Sequence, residues 1–294
     1  MTQLTTESRN QNTMHIDELD GVGIAQLINA EDAKVAAAVA TQTEAIGQAI
    51  EAITGRFKDG GRIIYMGAGT SGRLGALDAI ELTPTYSVSP KRAFGLLAGG
   101  QKAMYEAVEG AEDSKDLAIA DLTRVVLTPN DTVIAIAASG RTPYAIGGLE
   151  YANQIGALTV SVTCTEGNQM SAIAQIAIAP VVGPESITGS TRMKAGTAEK
   201  MVLNTISTGV MVRMGYVYEN LMINVQPTNE KLVHRATGIL MQVLALDEPT
   251  ATALLAAAHQ NVAAAIVMKR KALAYDAAVE LLDANDYQVS KVLD

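Results

Sequence analysis

The first third of the chain changes from apolar residues at helical spacing to a short, uninterrupted apolar run. Apolar residues recur every three or four positions from Asn29 onward, so we expect one long helix that Asn29 caps and Gly60–Gly61 ends, after a polar arm. The run at residues 63–66 predicts a buried strand, followed by a glycine-rich turn and a second helix. That helix should stop before Pro84, because proline lacks the N–H group that a helix interior uses.

The same order of strand, small-residue loop and helix returns at residues 131–157. Apolar runs at residues 92–99, 158–164 and 175–183 supply three more strands, and we expect helices over residues 101–110 and from about Ser114. Five buried-type strands separated by helices predict an α/β fold with a doubly wound, five-stranded parallel sheet.

The last quarter of the chain is rich in alanine and has apolar residues at helical spacing. This pattern predicts a small C-terminal helical bundle. We place the boundary near Ala236, which gives a domain over residues 1–236 with an N-terminal helical arm, and a bundle over residues 237–294.

Composition narrows the class of protein. With 294 residues, 48% of them hydrophobic, the chain can bury a full core. Its single cysteine, Cys164, excludes an internal disulfide framework, and we expect a cytoplasmic location. The first residues do not resemble a secretory signal, and charged residues, Gly or Gln interrupt every apolar stretch, so we expect no association with a membrane. The net charge of −9, without a basic stripe, argues against nucleic acid as a partner.

Two loops with the same tripeptide are the strongest candidates for binding an anion. Ser71-Gly72-Arg73 and Ser139-Gly140-Arg141 each follow a predicted strand and precede a helix. Small residues let a ligand approach the backbone, hydroxyl groups supply hydrogen bonds, and a helix N-terminus offers free N–H groups and a favourable dipole. Together the loops predict a site for a phosphate monoester, although Thr142 before Pro143 is also an ordinary helix cap.

The first loop also satisfies G-x-G-x-x-G through Gly67, Gly69 and Gly72, so dinucleotide binding is a rival interpretation. That interpretation needs an acidic residue at the end of the next strand to hold the ribose. Residues 97–100 end that strand without a carboxylate, which argues against a dinucleotide.

Two glutamates lie where helix dipoles act in opposite directions. Glu81 falls near the C-terminal end of a predicted helix, where the dipole favours a protonated carboxyl group, whereas Glu112 precedes a predicted helix start, where it favours an anion. Such a pair suits an acid and a base. Since the chain has 31 acidic residues, however, spacing alone does not single these two out, and an exposed surface position is the ordinary expectation for each.

Most of the chain resembles the N-acetylmuramic acid 6-phosphate etherases, members of the sugar isomerase (SIS) superfamily. Several of the segments are shared with the related glucokinase regulatory protein. The segments that carry the resemblance are TESRN, MGAGTSGRLGALDAIEL, LLAGG, AVEGAEDS, AASGRTPY, GSTRMKAGTAEKMVLNTISTG and TNEKLV.

The resemblance implies an SIS-type fold, a homodimer and a set of site residues. Glu81 matches the proton donor of the family, and Glu112 matches its second catalytic carboxylate. The chain departs from the isomerase pattern at Ala137, where serine is common, so one phosphate contact is expected to be missing or replaced. The implied phosphate contacts are Thr70, Ser71, Ser139 and Thr142, with Gly69 and Gly140 beside them.

The reaction that the resemblance implies is cleavage of the lactyl ether by elimination and addition of water. In the open sugar the aldehyde acidifies the C2 proton, so one carboxylate removes it while the other group protonates the departing lactate oxygen at C3. Water then adds at C3, giving N-acetylglucosamine 6-phosphate and D-lactate. We expect no metal and no other cofactor, because no metal-ligand spacing is present.

The roles of several basic residues and histidines are open, and so is the choice between catalysis of ether cleavage and two rival functions. Arg192 and Lys194 are candidates for the lactyl carboxylate of the substrate, with surface charge or structural pairing as the alternative role. His15, His234 and His259 form no cluster in sequence, although His234 could assist ring opening. The rival functions are an aldose–ketose isomerase, which would release no lactate, and a non-catalytic sugar-phosphate sensor, which would bind without turnover.

Overall fold

The structure, a computed structural model, describes residues 5–225 and 230–294, without the side chains of Thr5 and Lys231. The chain divides into two compact units. The first comprises the described residues of Met1–Ile80 together with Pro90–Ser207, and the second comprises Glu81–Ser89 together with the described residues of Thr208–Asp294. The start of the segment TNEKLV, at residues 228–229, lies outside the described residues, as do the first four residues of the predicted arm.

The N-terminal part forms three helices, so the prediction of one long helix was wrong. They are α1 (Gly21–Asp32), α2 (Val35–Ala40) and α3 (Thr43–Lys58). Asp20 caps α1 by accepting a hydrogen bond from the Gly23 N–H at 2.8 Å, and Asn29 lies inside that helix. At the break before α3, the Gln42 amide oxygen accepts a hydrogen bond from Ala179 N–H at 3.0 Å.

The described part of the N-terminal arm consists of short 3₁₀ turns, at Thr5–Glu7, Gln11–Thr13 and Ile16–Glu18. The arm is polar in sequence, yet some of its polar side chains are buried, namely Thr6, Asn10 and Thr13. Most buried polar groups in proteins have hydrogen-bond partners, and here the Asn10 amide donates to Glu31 Oε2 at 2.8 Å and the Thr13 hydroxyl donates to Ser186 O at 2.9 Å. The arm is therefore packed into the first unit.

The prediction of a five-stranded parallel sheet is confirmed. All of its pairings are parallel, and the strand order is β2-β1-β3-β4-β5. Every residue of three strands is buried, as expected of a parallel sheet covered on both faces. The strands are β1 (Ile63–Gly67), β2 (Ala93–Leu97), β3 (Thr132–Ile136), β4 (Leu158–Val162) and β5 (Ile176–Ile178).

Helices connect these strands and frame the sheet. Two of them begin with clear signals, since Ser114 caps α5 by accepting from the Leu117 N–H at 3.1 Å and Pro143 opens α6. The helices of this part are α4 (Gly69–Tyr86), α5 (Lys115–Arg124), α6 (Pro143–Ile155), α7 (Gln169–Ile173) and α8 (Lys194–Arg213).

One predicted helix end and one predicted helix were wrong. Helix α4 continues past Pro84, and its last turn is closed by the Ser87 N–H to Thr83 O at 2.9 Å and by the Thr83 hydroxyl to Val88 O at 2.8 Å. A proline near a helix end removes one hydrogen bond, which these contacts offset. The region 101–110 contains only a 3₁₀ turn, Gly100–Met104, after two left-handed glycines, Gly99 and Gly100.

The second unit contains a helical cluster around its own apolar core, so the predicted C-terminal bundle of helices is confirmed. Its core includes Leu240, Leu255, Ile266 and Leu282, all almost fully buried. A two-stranded antiparallel pair, β6 (Val217–Tyr218) and β7 (Leu221–Met222), precedes the helices. The helices are α9 (Glu230–Leu244), α10 (Glu248–Ala257), α11 (Val262–Lys271), α12 (Tyr275–Asp283) and α13 (Val289–Leu293).

The domain boundary near Ala236 falls inside α9. A division into compact units describes how the chain packs, whereas a domain is a part that folds by itself. The division into domains 1–236 and 237–294 therefore stays a prediction.

Within the described ranges, no single helix is both long and apolar enough to cross a membrane. Helices Leu232–Leu244 and Glu248–Ala257 reach that hydropathy only as a pair, and a bend of 109° separates them.

Candidate functional site

The order of the strands indicates where the first unit holds a ligand. Strand order reverses between β1 and β3, and ligands of open α/β sheets bind at the carboxyl ends of the strands on either side of such a reversal. A Cβ atom added to Gly67, the last residue of β1, would lie 2.8 Å from Ile136 O and 2.9 Å from Gly72 N. Only glycine fits at the end of β1, beside the last residue of β3.

The first loop leads directly into the first turn of α4. This helix begins at Gly69, whose φ of +51° is in the left-handed region that glycine adopts most easily. Thr70 and Ser71 follow in the first turn and are half-buried. Their position places two hydroxyl groups beside the free N–H groups and the positive end of the helix dipole, as the sequence predicts for an anion site.

The second loop is held in a sharp turn between β3 and α6. Gly140 has a φ of +65°, and a Cβ atom there would lie 2.2 Å from Asn168 Cγ, so a side chain is excluded. The Ser139 hydroxyl oxygen accepts a hydrogen bond from the Arg141 N–H at 3.3 Å. Thr142 is the N-cap residue, but its side chain makes no capping bond to the described first turn of α6. The Thr142 hydroxyl is thus not occupied as an ordinary helix cap.

A cavity of about 220 Å³ opens beside the first loop. It brings together two of the predicted site residues, Gly69 and Glu112, and adds Arg73 and Glu109, which sequence reasoning did not assign. Glu112 is exposed and lies in a 3₁₀ turn, Ala111–Asp113. The lining residues are Ala68, Gly69, Arg73, Ala98, Ala103, Glu106, Ala107, Val108, Glu109, Gly110 and Glu112.

Arg73 shapes the wall of this cavity. Its guanidinium donates to Met104 O at 3.1 Å and to Glu106 O at 3.3 Å. A continuous helix over residues 101–110 would use such carbonyl groups for its own hydrogen bonds, so Arg73 favours the irregular path that leads to Glu112. Arg141, at the equivalent place in the second loop, is exposed instead.

Glu81 is exposed and lies in the last two turns of α4, as the sequence predicts. It belongs to the second compact unit, so its position is described within that unit alone. Glu112 lies just before the Ser114 cap of α5, which is also where the sequence places it. The roles of both glutamates stay predictions.

Lys194 and Arg192 differ although they are neighbours in sequence. Lys194 is 1% exposed, and its ammonium donates to Glu31 Oε2 at 2.7 Å, which is the structural pairing given above as its alternative role. Arg192 is exposed, and its contact with the substrate stays a prediction.

Glu31 is an ionised carboxylate inside the first unit. Burial by itself would raise its pKa, but hydrogen bonds from Lys194, Lys34, Asn12 and Asn10 hold that pKa well below its usual range. Lys34 Nζ lies 2.5 Å from this carboxylate, and the amides Asn10 Nδ2 and Asn12 Nδ2 lie at 2.8 Å and 2.9 Å. The cluster ties the N-terminal arm to the first residue of α8.

Sequence reasoning missed two buried glutamates beside the first loop. Glu185 accepts hydrogen bonds from the Lys194 and Ala195 N–H groups, each at 2.9 Å, and so caps α8. Glu199 is 1% exposed and shares a 2.9 Å hydrogen bond with the Ser71 hydroxyl. Burial raises the pKa of Glu199 to about 8, the Ser71 hydrogen bond lowers it in part, and the charge of Glu185 raises it further.

A signal for Glu199 does exist in the sequence. Helix α8 has apolar residues at helical spacing, and Val202, Leu203 and Ile206 from that face are fully buried. Glu199 precedes Val202 by three positions and Ile206 by seven, so it occupies a core position on the same face. A glutamate at a core position is the kind of exception that marks a polar cluster.

The described residues, 5–225 and 230–294, contain no group of three or more His, Cys, Asp and Glu side chains arranged for a metal ion. His15 and His234 are exposed, and the ring of His259 packs edge-on against Tyr275 at 4.5 Å between centroids.

Comparison with known proteins finds matching family models and similar proteins that have names. Residues 45–153 match the model of the glucokinase regulatory protein N-terminal SIS domain, and residues 107–208 match that of the SIS domain. N-acetylmuramic acid 6-phosphate etherase 1 of Enterococcus faecalis is 60% identical over 290 residues, covering 99% of this chain and 97% of that relative. The N-acetylmuramic acid 6-phosphate etherase of Lactobacillus gasseri is 55% identical, covering 99% and 98%.

Solved structures show the same fold at low identity. A structure from Bacteroides fragilis, described as that of a candidate phosphosugar isomerase, has a TM-score of 0.52 and 18% identity. The match covers 67% of this chain and 94% of that one, so it shows similarity of fold alone.

Proposed function

Because the chain belongs to the N-acetylmuramic acid 6-phosphate etherase family, we propose that it cleaves the D-lactyl ether of N-acetylmuramic acid 6-phosphate, giving N-acetylglucosamine 6-phosphate and D-lactate. The observation that carries this proposal is 60% identity to an etherase across 99% of the chain. The chemistry is that of a carbon–oxygen lyase in amino sugar recycling.

The first step is the elimination of lactate. In the open-chain sugar the aldehyde at C1 stabilises negative charge at C2, so a carboxylate can remove the C2 proton. The electron pair of that C–H bond forms the C2–C3 double bond, the C3–O bond breaks, and its electron pair goes to the lactate oxygen. Glu112 is the proposed base, since it matches the second catalytic carboxylate of the family and is exposed in the cavity beside Gly69.

The departing lactate oxygen needs a proton, and Glu81 is the proposed donor. Glu81 matches the proton donor of the family and is exposed in the last two turns of α4. Water then adds at C3, and a proton returns to C2. The net change is the addition of one water molecule across the ether, so atoms and electrons balance without an oxidant or reductant.

The phosphate group is held, in this proposal, by the two loops at the ends of β1 and β3. Thr70 and Ser71 lie in the first turn of α4. Thr142 occupies the N-cap position of α6, and its hydroxyl makes no capping bond there. Helix N-termini of this kind stabilise phosphate through N–H groups and the dipole. Ser139, Gly69 and Gly140 complete the proposed binding site, and Arg192 is proposed to meet the lactyl carboxylate.

Three further properties belong to the proposal. The chain acts in the cytoplasm, it functions as a homodimer, and its reaction uses ionisable side chains without a cofactor. The first rests on the class of substrate and on the single cysteine, and the second on the family resemblance.

The experiment is an assay of D-lactate release from N-acetylmuramic acid 6-phosphate. We expect wild-type protein to release lactate, and Glu112→Gln and Glu81→Gln each to lower the rate by about 100-fold or more, as for loss of a general acid or base. Asp113→Asn is the matched control, since Asp113 is exposed in the same short turn as Glu112 and does not line the cavity. It should keep nearly the full rate.

Other outcomes would identify the rival functions. A wild-type protein that converts a sugar phosphate from aldose to ketose without lactate would be an isomerase. One that binds N-acetylglucosamine 6-phosphate but turns nothing over would be a sensor. Either result would contradict the proposed etherase activity.

A further inference from the structure

The hydrogen bond between Ser71 and Glu199 lies directly beneath the proposed phosphate site. Glu199 projects from the second turn of α8 toward the first turn of α4, and Glu199 Oε1 lies 2.9 Å from Ser71 Oγ. Its other oxygen, Oε2, is buried and has no hydrogen-bond partner among the described residues. A buried carboxyl group with one partner and one unpartnered oxygen calls for an explanation.

The surroundings of Glu199 are acidic. Glu185 lies near it and accepts two backbone N–H bonds, an arrangement that stabilises a carboxylate. The nearby cation, Lys194, is occupied by Glu31 at 2.7 Å. Cys164, on the loop after β4, is a buried thiol whose pKa is raised well above its usual range by burial, then by Glu199 and Glu185. These groups favour an uncharged Glu199 at neutral pH.

The charge state of Glu199 decides which way the hydrogen bond with Ser71 runs. A carboxylate can only accept, so an ionised Glu199 would hold the Ser71 hydroxyl proton and place a negative charge beside the loop. A neutral carboxyl group can donate its own proton to Ser71 Oγ. That arrangement also leaves Oε2 as an unpartnered carbonyl oxygen, which is less costly than an unpartnered buried O–H.

We propose that Glu199 is a positioning residue: its neutral carboxyl group donates to Ser71 Oγ and so leaves the Ser71 hydroxyl proton free to bind the sugar phosphate. The inference rests on the proposed role of Ser71 as a phosphate contact. When Glu199 ionises at alkaline pH, it takes the Ser71 proton for itself and repels the phosphate, so sugar-phosphate affinity falls.

The test is isothermal titration with N-acetylglucosamine 6-phosphate between about pH 7 and pH 9, where the phosphate is already the dianion. We expect the affinity of wild-type protein to fall about tenfold over this range, because a carboxyl group with a pKa of about 8 changes from mainly neutral to mainly ionised. Glu199→Gln should retain binding at alkaline pH, since its amide donates to Ser71 at every pH. Its affinity for the sugar phosphate should change by less than about twofold between pH 7 and pH 9.

A double-mutant cycle shows whether Glu199 acts through Ser71. Glu199→Ala should weaken binding about tenfold at pH 7 in the presence of Ser71, and by no more than about twofold in the Ser71→Ala background. Glu44→Gln is the control for the loss of a carboxylate, because Glu44 is exposed on α3, and it should reproduce the wild-type pH profile. Thermal unfolding of each variant checks that it is folded, and Glu199→Gln alone decides the question if Glu199→Ala does not fold.

The outcomes separate this inference from the proposed function. A wild-type protein that releases lactate but binds the sugar phosphate equally from pH 7 to pH 9 would overturn the role of Glu199 and leave the proposed function intact. An alkaline fall that persists in Glu199→Gln would also overturn it. A wild-type protein that neither binds the sugar phosphate nor releases lactate would contradict both.

Discussion

Two buried glutamates at the start of α8 differ in charge state: Glu31 contacts the first residue of this helix, and Glu199 lies in its second turn. The pKa of Glu31 is held well below its usual range, whereas that of Glu199 is raised to about 8. Both side chains are almost fully buried, at 3% and 1% exposure. Burial alone therefore does not decide the charge of a carboxyl group in this protein.

The difference comes from the partners. Glu31 receives hydrogen bonds from two ammonium groups and two amides, and these offset the cost of burying its charge. Glu199 has one hydroxyl partner and an acidic neighbour, so the neutral form is favoured. The first arrangement fixes the N-terminal arm to α8, and the second leaves a proton available beneath the proposed phosphate site.

The largest expected effect is on Glu31. Glu31→Gln leaves the buried Lys194 ammonium without a carboxylate, so we expect the free energy of unfolding to fall by about 3–5 kcal/mol at pH 7. Because the folded pKa of Glu31 lies below its unfolded value of 4.5, this stabilisation is present above that pH and is lost as pH falls. Urea denaturation between about pH 3 and pH 7 measures both effects.

Glu18→Gln is the control for that experiment, because Glu18 is 69% exposed and pairs with the exposed His15. It should change stability by a few tenths of a kcal/mol at most, as is usual for exposed substitutions. Equal stability losses in the two variants would show that the buried pair is not what stabilises the arm.

Glu199 should show the opposite pH dependence. Its folded pKa of about 8 lies above the unfolded value of 4.5, so the folded state binds more protons and stability falls as pH rises from about 5 to about 8. Relative to wild type, Glu199→Gln should gain on the order of 2–4 kcal/mol across that window, since a tenfold change corresponds to about 1.4 kcal/mol. A constant difference from pH 5 to pH 9, measured by urea denaturation, would mean that Glu199 does not titrate there.

The smallest expected effect sharpens the comparison by removing the acidic neighbour. Glu185→Gln deletes the negative charge that raises the pKa of Glu199, so the pH at which sugar-phosphate affinity falls should move down by roughly half a unit to one unit. The same titration with N-acetylglucosamine 6-phosphate measures it. An upward movement would show that Glu185 does not act on Glu199 through its charge.

Local pattern was sufficient for the sheet and insufficient for the N-terminal helices. Five apolar runs predict five strands correctly, because a parallel sheet buried on both faces needs continuous apolar sequence. At the break before α3, Gln42 contacts Ala179, and on the irregular path near Glu106 the backbone contacts Arg73. These contacts join residues distant in sequence, and apolar spacing carries no information about them.

The candidate site also combines features that follow from local sequence with contacts between distant residues. The two loops and the environment of Glu112 follow from short-range signals, whereas Ser71 and Glu199 are 128 positions apart in the chain. The sequence leaves Lys194 open between a substrate carboxylate and structural pairing, and the fold pairs it with Glu31. The proposed roles of Glu81 and Glu112 rest on family resemblance, because the residue pattern alone does not distinguish them from other carboxylates.

The most direct test of the proposed reaction is to run it in water enriched in heavy oxygen and to measure the mass of each product. Elimination followed by addition breaks the bond between C3 and the ether oxygen, so the label should enter N-acetylglucosamine 6-phosphate and D-lactate should remain unlabelled. Label in the lactate would mean that water attacks the lactyl carbon instead, and it would contradict the roles proposed for Glu112 and Glu81.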